Sequence, residues 1–174
     1  MNNSSFSLER GDILQVESIS HRGTFKLLPL GKKNKQKLVI GDDSGTVSCY
    51  EFRKGEPQVV FQVKVFDGPI TCLAIGGTEP KKDKIFASHN QRIVGMTKKG
   101  KVFFNLTSSL TETIKSIWVD DTRIWTGCEF IYNLYDNGKD SAYFNSKDKI
   151  NDVFVAHLTR EVDYDVVLGC QVSV

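Results

Sequence analysis

The sequence has no stretch of about 18 uninterrupted apolar residues, the length a helix needs to cross a bilayer. Its first residues, MNNSSFSLERGD, lack the apolar segment of a secretion signal. Both absences lead us to expect a cytosolic protein, in which Asn2, Asn3 and Asn105, although each opens an N-x-S/T triplet, are not glycosylated. Cysteine is sparse and scattered. Cys49, Cys72, Cys128 and Cys170 each sit in an apolar run, with no C-x-x-C and no nearby histidine, so we read buried thiols and no metal site. Histidine is rarer still. His21, His89 and His157 are widely spaced and read as satisfied or surface side chains. No P-loop, G-x-S-x-G, H-E-x-x-H or EF-hand pattern occurs. We therefore expect no catalytic residue, no cofactor and no metal. The net charge of +2 is too small to argue for nucleic acid, and no aromatic platform is interleaved with basic residues, so no nucleic-acid partner is expected.

What the chain does have is a fair apolar content, 40% against 25% charged, over 174 residues. That suits one globular domain with a real core. The stretch KLVIGDDSGTVSCYEF (37–52) reads as two strands around a turn, in which Asp42, Asp43 and Ser44 bond nearby backbone and Gly45 takes a positive φ. Three residues are too few for a calcium loop, which needs about 12.

The same pattern recurs. KLVIGD (37–42), KIFASH (84–89), RIWTGC (123–128) and DVVLGC (165–170) align on Gly41, Ser88, Gly127 and Gly169, with steps of 47, 39 and 42 residues. An apolar segment precedes each: FKLLPL (25–30), ITCLAI (70–75), IKSIWV (114–119) and INDVFV (150–155). A third and a fourth strand follow in three units, joined by RKGE, KKGK and DNGKD turns with a glycine for a tight hairpin. A period of about 40–45 residues with four strands per unit is the mark of a β-propeller blade. The fold class expected is all-β: a propeller of four-stranded antiparallel blades, present as about three and a half blades. Blades are placed at about 24–66, 69–107, 113–146 and 149–174, the last incomplete. A sandwich or barrel would also have many short strands, but would not predict matched pairs at a near-constant step.

Leu73, Ile117 and Val153 are expected at equivalent positions on successive first strands, lining the inner part of the ring. Trp118 and Trp125 are read as packing residues, and SSLTETIKS (108–116) as compatible with a helical turn between blades. GDILQV (11–16) is a plausible contributor to a closing blade, and DVVLGC is expected on an open flank.

In such a blade the first-to-second and third-to-fourth turns share one face. Lys32, Lys33, Lys35, Lys37, Arg53, Lys54, Lys81, Lys82, Lys84, Lys98, Lys99 and Lys101 fall in those turns of blades one and two and form the candidate interaction surface. Matching turns of blades three and four hold Asp120, Asp121, Asp136, Asp140, Glu161, Asp163 and Asp165, so a face split into basic and acidic sectors is expected. Two function classes follow: a scaffold that presents loops to protein partners, and a peripheral module that binds anionic lipid or acidic protein through the basic sector.

The segments KLLPL, KLVIGDDSGTV, KKGK, LTETIKS, IYN and DKINDV, in this order and spacing, resemble the start of the Bardet-Biedl syndrome 7 family, from about Leu14 to about Val153. The resemblance implies an amino-terminal propeller followed by a coiled coil and later domains that this chain does not include. It implies a non-catalytic scaffold subunit of the BBSome, a coat that carries membrane proteins to and from cilia. It further implies pairing with the Bardet-Biedl syndrome 2 subunit, contact with subunit 9, and residence in the cytoplasm, cilium, basal body and peripheral ciliary membrane.

Overall fold

A computed structural model describes residues 10–12, 14–31, 35–159 and 162–172. The described residues form strands and turns, with no helix among them. The first sheet runs β1 (Phe25–Leu27), β2 (Lys37–Gly41), β3 (Thr46–Arg53) and β4 (Glu56–Lys64), each antiparallel to the next. The second repeats this order with β5 (Cys72–Gly76), β6 (Lys84–His89), β7 (Arg92–Met96) and β8 (Val102–Thr107). The third holds β9 (Ser116–Asp120), β10 (Arg123–Gly127), β11 (Ile131–Asp136) and β12 (Lys139–Asn145). β13 (Ile150–Ala156) and β14 (Asp165–Cys170) pair as the start of a fourth. This is a partial, open propeller of antiparallel blades.

The turns follow from local chemistry. Gly55, Gly100 and Gly138 all have positive φ in the third-to-fourth turns, where a side chain would be strained. In the Asp42–Gly45 corner, the Asp42 carboxylate accepts from the Ser44 amide (3.0 Å), the Ser44 hydroxyl (2.7 Å) and the Thr46 amide (2.9 Å). Gly45 has φ +85, and a Cβ there would meet the Phe66 carbonyl oxygen at 2.1 Å.

The core lies between blades, in three layers. Val39, Val47 and Cys49 of blade one pack with Leu73, Ile85 and Met96 of blade two. Cys72, Ala74 and Phe86 of blade two pack with Val119, Ile124 and Tyr135 of blade three. Trp125 and Tyr132 of blade three pack with Ile150, Val153 and Val155 of blade four. The first strands β1, β5, β9 and β13 lie side by side as the inner wall. On it Leu73, Ile117 and Val153 are equivalent, paired with Ala87, Thr126 and Leu168, and each faces the preceding blade. Leu73 and Val153 are buried, whereas Ile117 is half-buried.

A joint recurs that the strand pattern did not show. Ile70 donates its amide to the Asp42 carbonyl (2.9 Å), Ile114 to Asn90 (2.8 Å) and Ile150 to Glu129 (2.7 Å). Each isoleucine enters the next blade and is essentially fully buried, and each acceptor sits at the second-to-third corner of the blade before. The segment 108–116 makes no helical turn. Glu112 instead accepts from the Phe130 amide (2.9 Å), the Gln91 amide nitrogen reaches the Thr111 carbonyl (2.8 Å), and Ile114 is held by Asn90. Its polar groups bond to flanking blades, which leaves no i to i−4 ladder.

Of residues 11–16, those described form no strand and pair with no blade. Among the described residues β14 pairs with β13 alone, and all six of its residues are half-buried.

Candidate interaction surface

Four of the basic residues, Lys35, Lys37, Lys81 and Lys98, come together where blades one and two meet. A cleft of about 380 Å³ is lined by Leu28, Pro29, Leu30 and Gly31, by Lys35 and Lys37 before and at the start of β2, by Pro80, Lys81 and Asp83 from the β5–β6 loop, and by Lys98 from the β7–β8 turn. The loop geometry is set by the backbone. The Leu28 amide donates to the Lys37 carbonyl and the Gly31 amide to the Lys35 carbonyl, both at 2.9 Å, while the Lys81 and Lys82 amides donate to Thr78.

Much of the positive charge is already partnered. Lys98 and Lys84 bind the two oxygens of Asp83 at 2.7 and 3.0 Å, and Lys98 foremost holds that carboxyl below its ordinary range. Lys82 lies between Glu79 (2.9 Å) and Asp120 (3.0 Å), whose hydrogen bonds raise its amine. Lys37 and Arg53 both meet Glu51. Among the described residues, Lys35, Lys54, Lys81, Lys99 and Lys101 form no ion pair. Lys32 and Lys33 lie outside the described residues.

The acidic turns are likewise engaged. Asp120 also accepts from the Tyr164 hydroxyl; burial opposes its ionisation, but Tyr164 and then Lys82 outweigh that and keep it low. Asp121 accepts from the Thr78 hydroxyl at 2.6 Å. Asp136 accepts from Thr122 and, with Asp163, faces Arg123. Asp140 accepts from Asn133, and Asp165 accepts from the Leu158 and Thr159 amides. Glu161 lies outside the described residues. Lys82 and Asp120 thus join blades two and three by an ion pair.

No described group of three His, Cys, Asp or Glu side chains is arranged to hold a metal ion. His89 is held by the Pro69 carbonyl and Asn90, and His157 stacks on Tyr164 with centroids 4.4 Å apart. Cys49, Cys72 and Cys128 are buried, and burial pushes their thiols up to about 11, 12 and 11. Cys170 is only half-buried. Trp125 is buried, whereas Trp118 is partly open and meets Phe154 edge-on at 5.2 Å across the third and fourth blades.

Blades in this order, with glycine-turned hairpins and cores between sheets, define a β-propeller segment. Solved propellers agree on the fold: the Pan2 WD40 domain of Neurospora crassa (TM-score 0.59, 11% identity, 75% of this chain and 40% of that one), and BBS1N in complex with ARL6DN (TM-score 0.68, 10% identity, 91% and 53%). The chain belongs to the BBS7 β-propeller family, whose pattern matches residues 25–174. The "BBSome complex member BBS7" of Mus musculus is 38% identical over 168 residues, 95% of this chain. The "BBSome complex member bbs-7" of Caenorhabditis elegans is 27% identical over 168 residues, 92% of this chain. The chain spans 23% of the length of each of these relatives.

Proposed function

We propose that this segment is part of a non-catalytic scaffold subunit of the BBSome, supporting the movement of membrane proteins to and from cilia through protein contacts. The observation that carries the reading is the family match over residues 25–174, joined to relatives named as BBSome members. The absence of catalytic motifs in the sequence agrees with it. On this reading the partners are other BBSome subunits, especially those of Bardet-Biedl syndrome 2 and 9, and the protein works in the cytoplasm, at the basal body and on the ciliary membrane.

The test is affinity purification of the tagged full-length protein from ciliated cells. Other BBSome subunits should accompany it in constant ratio, and the purified material should show no hydrolase or transferase turnover. A full-length protein that purifies alone would overturn the reading.

A second reading has its own observation. The lysines around the cleft between blades one and two suit an anionic partner, whether acidic protein or lipid headgroups.

A further inference from the structure

We propose that the cleft between the first two blades docks an acidic segment of a partner protein that carries an apolar anchor side chain. The inference rests on the reading of the chain as a protein-contacting scaffold and names the kind of contact.

Its shape comes first. At about 380 Å³, the cleft falls within the about 300–1,000 Å³ of ordinary binding clefts. Buried Leu28 lines it together with Leu30 and Pro80, and Leu30 is 64% exposed. An exposed leucine beside a concave, partly apolar surface is what an anchor side chain would cover.

Charge decides what flanks that anchor. Asp83 is the one carboxylate in the lining, and Lys98 and Lys84 already hold both its oxygens. Lys35 and Lys81 border the same space and form no ion pair among the described residues. A peptide carboxylate on each side of the anchor would meet these two amines, steering encounter and fixing register.

The neighbouring turns argue against a membrane. Asp120 and Asp136 end strands β9 and β11 of the next blade, Asp121 lies in the turn after β9, and Asp120 is tied directly to Lys82. A flat anionic bilayer laid on this face would meet those carboxylates as well as the lysines. A peptide lying in the cleft meets the lysines and Asp83, whose charge Lys84 and Lys98 already offset.

The test uses the full-length protein purified with its BBSome partners and the fluorescein-labelled peptide GSDELFEDSG, read by anisotropy at low and physiological salt. We expect saturable, salt-sensitive binding. It should weaken by at least about tenfold in a Lys35→Glu/Lys81→Glu variant, and also in Leu30→Ser, which leaves every lysine in place. The peptide GSDESSEDSG, with the anchor removed, should bind correspondingly worse. Each variant is checked for an unchanged melting curve and for co-purification with the other subunits. The proposal is overturned if the wild-type complex does not bind the peptide, if the variants or the anchorless peptide bind as well, or if phosphatidylserine vesicles displace the peptide through the same two lysines. Loss of co-purification in the wild-type protein would instead strike the scaffold reading, so the two failures are told apart.

Discussion

Lys82 and Asp120 meet at 3.0 Å across the second and third blades. The contact ties a lysine of the β5–β6 loop to the end of β9. Lys82 is flanked on its other side by Glu79, so Lys82→Glu would set three carboxylates together. We expect that variant to lose about 1 kcal/mol, and Lys81→Glu to change stability by under about 0.5 kcal/mol, in urea titration. Equal midpoints for the two would show that the pair is merely hydrated.

Asp120 should matter more than Lys82, because it also accepts from the half-buried Tyr164 hydroxyl. Asp120→Ala removes both partners' acceptor and is expected to cost about 1–3 kcal/mol, against under about 1 kcal/mol for Lys82→Gln. Tyr164→Phe should recover part of the Asp120→Ala effect in a double-mutant cycle.

The Asp42 corner predicts a pH dependence. Burial alone would raise this carboxyl, but hydrogen bonds from Ser44, Thr46 and Ser18 hold it below its ordinary 3.8. Its stabilisation is therefore complete above the unfolded value and is lost as pH falls through the lower folded value. Unfolding titrations from about pH 5 down to about pH 2 should show stability declining below about pH 4, with a flatter profile in Asp42→Asn, which keeps an acceptor but cannot titrate.

Thiol chemistry should separate the cysteines. Burial pushes Cys49, Cys72 and Cys128 far above neutral pH, while Cys170 is half-buried on β14. Brief alkylation of the native polypeptide of residues 1–174, followed by mass spectrometry, should label Cys170 first and spare the others. Uniform labelling would mean that the layers between blades open readily.

The repeat was legible because all four units carry apolar runs and the first three their own turn glycines, features local enough to survive in one dimension. The joints between blades were not. Ile70, Ile114 and Ile150 read as ordinary apolar residues, since what distinguishes them is a backbone amide aimed at another blade. The basic surface was legible as a list of turns, but its neutralisation was not. Glu51 lies in the middle of a strand and Asp83 between two lysines, and only folding brings them within reach of Lys37 and Lys98. The segment around Glu112 has helix-compatible residues, and tertiary partners for its polar groups override that preference.

The aligned glycines have a cause as well. A Cβ on Gly41 would come within 2.8 Å of Ile70, and one on Gly127 within 2.6 Å of Val153. At the same place in blade two stands Ser88, whose hydroxyl is bonded to Thr71 at 2.7 Å. Gly127→Ala should therefore destabilise by about 1–3 kcal/mol through overpacking. Gly169→Ala, with nothing closer than 3.8 Å, should cost far less in the same polypeptide. Similar losses at both positions, read by thermal melting, would show that the close approach is not what selects glycine.

These glycines give the assembly a direction. At Gly41 and Gly127 a blade leaves a bare stretch of backbone, and the following blade lays an isoleucine or a valine into the gap and closes the amide joint. The fit is that of masonry courses, in which one row is keyed to the next. At Gly169 the nearest atom to such a Cβ is the Asp152 carbonyl oxygen at 3.8 Å, so among the described residues this glycine, unlike Gly41 and Gly127, has no side chain keyed against it.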